Sequence, residues 1–139
     1  MKQSITFKTI LFLSGLIGVA VGGAILFVPV PFYATTGIEL GGNINLLNEI
    51  RAPGGSLLAS GILVMLGAFV DKLAYTSTVV AALAYLSYGL SRILSMAVDG
   101  KPATELILVA VLEIIIGLLC VFAFMKYQRT EQPQRAPCV

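Results

Sequence analysis

Four apolar stretches, each about the length that a lipid bilayer demands and each ended by a short polar stop, constrain this 139-residue chain more than any other feature. A hydrocarbon core about 30 Å thick takes roughly 20 helical residues, with about 17–25 tolerated. Residues 9–28 form the first such run, after Lys2 and Lys8, and it stops at Pro29-Val30-Pro31. Residues 51–70 form the second, residues 73–98 the third and residues 104–125 the fourth, with Asp71-Lys72 and Asp99-Gly100-Lys101-Pro102 between them. Only 12% of the residues are charged and the mean hydropathy is +0.95. A soluble domain carries about 25% charged residues, so the composition calls for lipid as solvent. The expected fold is all-α: an integral membrane four-helix bundle made of one domain, residues 1–127. A flexible cytoplasmic tail, residues 128–139, follows.

Lysine and arginine set the expected orientation. Lys2, Lys8, Lys72, Lys126, Arg129 and Arg135 fall on one side of the four runs, and Arg51 and Lys101 on the other. The positive-inside rule then places both termini in the cytoplasm and the chain in the cell inner membrane as a multi-pass protein. The first run is too long for a signal-peptide core, which spans about 7–15 residues, and no small-residue cleavage site follows, so it reads as a retained span. The chain's net charge of +2 gives no electrostatic footprint for nucleic acid. The chain has no His, and its two cysteines, Cys120 and Cys138, sit in a span and in the tail. The common haem and zinc ligands are therefore missing, and neither a metal nor any other cofactor is expected.

One loop is long. Between the first two runs, Gly41-Gly42 makes a break and Asn43 is placed to cap a short helix bearing Ile44, Leu47 and Ile50 on one face. That helix either lies at the interface or continues into the second span with Pro53 as a kink.

Two charges lie within the apolar runs: Arg92 in the third and Glu113 in the fourth. A charge at the centre of a span costs about 2.5–3.5 kcal/mol on insertion scales, so it is retained for a partner or a task. Counted from the turn at Asp99–Pro102, Arg92 lies roughly 10 Å deep and Glu113 roughly 15–20 Å deep. Opposite charges on antiparallel neighbours at similar depth should pair. The pair serves either to fix which helices meet or to hold a polar group, for which the guanidinium offers a fork of donors. Tyr88 and Ser91 lie beside Arg92 on a stripe with Ser77, Ala81, Ala84 and Ser95, a face that suits helix packing as well as a site. Arg51 and Glu49 at the mouth of the second span either join this pair as a balanced cluster or, for Arg51, reach outward to headgroups.

Glycines mark the other spans. Gly15, Gly18, Gly22 and Gly23 lie in the first and Gly54, Gly55 and Gly61 in the second. Small faces of this kind permit close backbone approach between helices or protomers. None forms a phosphate-binding loop.

These residues together resemble small bacterial four-helix membrane proteins grouped as domain of unknown function 4345. The matching pieces are Arg51-Ala52-Pro53-Gly54-Gly55 at the opening of the second span, Arg92 followed by Asp99-Gly100-Lys101-Pro102, and Glu113 with Gly117. The resemblance spans roughly residues 9–125. It implies the four-helix fold and marks Arg51, Arg92, Asp99, Gly100 and Glu113 as the family's polar signature, with Asp99 and Gly100 in its outer turn. Pro53 departs from it, standing where a larger apolar or aromatic residue is expected. The family brings no activity. Its architecture is also similar to DoxX-like membrane proteins, an analogy of fold alone.

Two functional readings follow. In the first, the chain is a non-catalytic accessory or assembly subunit whose glycine faces meet a membrane-protein partner or a second copy. In the second, it binds or transports a lipid-like or quinone-like molecule at an intramembrane site of Arg51, Arg92, Glu113, Tyr88 and Ser91. An enzyme ranks third, because Glu113 and Tyr88 would have to carry all proton chemistry.

Overall fold

The computed structural model describes residues 4–131, all in helices, turns and loops, with no strand among them. Four long helices dominate: α1 (Ile5–Phe27), α3 (Ile44–Leu66), α4 (Ala74–Asp99) and α5 (Thr104–Glu131). A short helix, α2 (Pro29–Ala34), follows α1, and a single 3₁₀ turn (Asp71–Leu73) leads into α4. Three stretches are long and apolar enough to cross a membrane: Ile5–Phe27, Asp71–Asp99 and Thr104–Lys126. Helix α3 has the length but not the composition, since Asn45, Asn48, Glu49 and Arg51 occupy its first two turns.

Side-chain chemistry sets the helix ends. The Ser4 hydroxyl accepts from the backbone N–H of Phe7 at 3.2 Å and starts α1. Asn43 caps α3 as the sequence suggests, its Oδ1 accepting from Asn45 N at 3.1 Å and Leu46 N at 3.2 Å. Helix α4 closes at Gly100, whose φ of 100° lies where other residues are strained. Asp99 receives a hydrogen bond from the Ser95 hydroxyl at 2.9 Å, which steadies that turn.

Several boundaries differ from the sequence reading. The first helix begins at Ile5 rather than residue 9, because Lys8 is carried within the capped first turns. The second run, expected at residues 51–70, belongs to a continuous helix from Ile44 to Leu66; its last residues instead form the turn at Gly67–Phe69. Pro53 lies inside α3 and removes the N–H that would reach the carbonyl of Glu49, yet the helix runs on through it. Helix α5 runs past the fourth apolar run, expected at residues 104–125, and continues to Glu131. The rest of the expected tail, residues 132–139, lies outside the described residues.

The long helices associate as two tight antiparallel pairs. Glycines hold the first pair: a Cβ added to Gly22 would come within 2.3 Å of the Leu58 N, and one at Gly61 within 2.5 Å of the Val19 N. Here α1 and α3 touch backbone to backbone, as small residues allow in lipid. In the second pair Leu86 of α4 covers Gly117 and Ile114 of α5 covers Gly89.

Packing is uneven along the molecule. At the end holding the start of α1 and the end of α5, Phe7, Leu11, Val64, Ala74, Ala81 and Cys120 form a closed core. Ser77 donates from this region to the Leu63 carbonyl at 2.8 Å, tying α4 to α3. Tyr85 crosses from α4 to α1 and donates to the Ser14 carbonyl at 2.5 Å. Beyond Tyr85 the two pairs separate. Outward-facing Leu83, Leu90, Leu94, Leu108, Leu118 and Phe122 leave an apolar exterior.

Candidate functional site

Where the helix pairs separate, a cavity of about 330 Å³ opens between them. The lining residues come from the later part of α1, α2 and its following loop, the middle of α3, the middle and later part of α4 and the early part of α5. Antiparallel pairing brings these segments together. Tyr85 forms the floor, with Ile17, Gly18 and Ile116 around it. Val21, Leu57, Val109 and Leu112 supply apolar walls.

The polar part of the lining is built around Arg92 and Glu113. The Arg92 Nε–H donates to Glu113 Oε2 at 3.0 Å. The side chains are 34% and 14% exposed, respectively, so the carboxylate is more enclosed than the guanidinium. The expected pairing of α4 and α5 through opposite charges is thus present. Low local polarity strengthens such a contact and makes its loss expensive.

Tyr88 lies one helical turn before Arg92 and lines the same cavity. Tyr33 and Thr36 reach it from α2 and the following turn. Burial raises the Tyr33 phenol above its usual pKa, and the Arg92 guanidinium pulls the other way. The hydroxyl therefore keeps its proton at neutral pH and remains a donor.

The structure separates other residues from this group. Arg51 is exposed on α3 and makes no ion pair with Glu113, so the balanced cluster of Arg51, Glu49, Arg92 and Glu113 does not form. The extension of α3 gives Arg51 the right helix but the wrong side of it. Ser91, next to Arg92 in sequence, is also exposed and does not line the cavity, since successive helical residues point about 100° apart. Asp99 and Gly100 shape the turn between α4 and α5 and are likewise outside the cavity. Tyr33 and Tyr85 carry no distinguishing signal in the sequence. Tyr33 follows Pro29-Val30-Pro31, which reads as a break rather than a helix, and Tyr85 resembles any aromatic core residue.

The chain is thus an all-helical protein with three membrane-length apolar helices and an apolar cavity headed by an arginine–glutamate pair. It belongs to the family described as "Domain of unknown function (DUF4345)", whose model matches residues 6–124. No curated protein and no solved structure matches it.

Proposed function

We propose that the protein binds a lipid-like or quinone-like small molecule within the membrane, in the cavity between its two helix pairs. The observation that carries this reading is the cavity itself: about 330 Å³ of mostly apolar space whose lining includes Arg92, Glu113, Tyr33 and Tyr88. Small-molecule sites are concave, mostly apolar and provided with a few convergent polar groups, commonly at about 300–1,000 Å³. A pair that served only to join α4 and α5 would need no such space beside it. An accessory subunit, the other reading of the sequence, uses the glycine faces for a partner. Gly15, Gly18, Gly22, Gly54 and Gly61 instead face α1–α3 contacts within the chain, which lessens the support for that reading.

In this proposal α3 completes a four-span arrangement. Its charged first turns stand at the outer surface, and both termini lie on the cytoplasmic side of the inner membrane.

The test is photolabelling with a methyl ester of a ten-carbon acid carrying a diazirine near the end of its tail. Saturable labelling should fall on residues 17–25 of α1 and 106–116 of α5. An Ala84→Phe substitution, which fills the cavity from α4, should abolish it. Labelling confined to the outward surface, unchanged by Ala84→Phe, would contradict a binding pocket.

A further inference from the structure

The polar part of the cavity is rich in hydrogen-bond donors. A guanidinium carries five N–H donors. Only the Nε–H of Arg92 has a hydrogen-bond acceptor among the described residues, the Glu113 carboxylate. The remaining donors face no protein acceptor there, and the Tyr33 and Tyr88 hydroxyls have no protein hydrogen-bond partner among the described residues either. Glu113 is held by Arg92 through Oε2 and keeps Oε1 as an acceptor, so the free N–H and O–H donors outnumber it. A ligand headgroup that brings acceptors is therefore the better match.

Charge narrows the choice. Among the described residues, Arg92 and Glu113 are the only charged side chains lining the cavity, and their formal charges cancel. A carboxylate, sulfonate or phosphate on Arg92 would sit beside the Glu113 carboxylate in a weakly polar setting, where repulsion between like charges is poorly screened. A cation would meet the guanidinium. A neutral carbonyl accepts from Arg92 and the phenols and leaves the ion pair intact. Size narrows it further: about 330 Å³ stands at the small end of ligand sites and suits a headgroup with part of one chain.

We infer that the ligand is a neutral, single-tailed amphiphile with a carbonyl headgroup, received by Arg92, Tyr33 and Tyr88, and that Glu113 selects against anionic headgroups by neutralising the guanidinium. This rests on the cavity being a binding site and adds which chemistry it accepts.

Competition against the diazirine ester separates the two statements. The competitors share a chain length: methyl decanoate is neutral and decanesulfonate is permanently ionised. For the wild-type chain in nanodiscs of zwitterionic lipid, methyl decanoate should displace the probe at a concentration at least ten-fold lower than decanesulfonate does. Glu113→Gln should strengthen decanesulfonate at least ten-fold while changing methyl decanoate little. The Tyr33→Phe/Tyr88→Phe pair, which leaves the ion pair intact, should weaken methyl decanoate at least five-fold; it keeps the test decisive should Glu113→Gln not fold. Preference of the wild type for decanesulfonate, or a double Tyr variant that binds the ester unchanged, would overturn the headgroup assignment and leave the pocket standing. Absence of saturable pocket labelling by the ester would overturn both.

Discussion

Arg92 and Glu113 are tied to one another by a single 3.0 Å contact, and each is the other's reason for tolerating an apolar setting. Removing one partner of a fully buried pair costs about 3–5 kcal/mol. With Arg92 about a third exposed, Arg92→Gln should cost less, about 1–3 kcal/mol, because water or headgroups reach the vacated region. Exchanging the charges, Arg92→Glu with Glu113→Arg, should recover most of that stability in a thermal unfolding assay in detergent. The swap should still lose the ligand, because the guanidinium then projects from α5, away from Tyr88. Recovery of both stability and binding would show the pair to be architecture alone. The pair was legible in the sequence because a charge inside an apolar run has little choice of partner. Arg51 was less so: residue counting gives depth along a helix, whereas meeting a partner depends on the angle around it, which only packing sets. Ser91 departs from the site for the same angular reason.

At the scale of helices, α1 and α3 are joined through their glycines. Gly22→Ala would place a Cβ 2.3 Å from the Leu58 backbone nitrogen, a clash no side-chain rotation relieves. The expected loss is about 1–3 kcal/mol, as for other overpacked interiors. Gly23, its neighbour, has nothing within 4 Å of an added Cβ. Gly23→Ala should therefore be neutral or stabilise by up to about 1 kcal/mol through helix propensity. Measuring both thermal midpoints side by side checks the register of the pair; equal effects would contradict it. The sequence displayed these glycines but not their partner, since close-approach patterns serve contacts within and between chains alike. It also left the loop before α3 open. Asn43 was visible as a cap, but whether its helix would stop or pass through Pro53 depended on contacts with α1, such as Ile25 against Gly54.

Across the whole molecule, one half is closed by small and apolar residues and the other is held apart around a cavity. Tyr85 marks the division, its hydroxyl bound to the Ser14 carbonyl. The all-helical class follows directly from apolar run lengths, which point to four spans where three helices are long and apolar enough to cross; a cavity is a property of how runs fail to meet and leaves no pattern in any one of them. The proposed topology has its own test. In a background lacking Cys120 and Cys138, a cysteine at position 101 should react with a membrane-impermeant maleimide added to intact cells. A cysteine at position 72 should react only after permeabilisation. The reverse pattern would invert the orientation, and labelling of both from outside would show that the stretch between them does not cross.

Occupation of the cavity by a small amphiphile in the membrane is tested most directly by native mass spectrometry of the chain released from membrane patches with its surrounding lipid, without detergent exchange. The wild type should carry one discrete adduct per chain, lighter than a two-chain lipid, and Ala84→Phe none. A bare wild-type chain, or adducts carried equally by Ala84→Phe, would contradict that occupation.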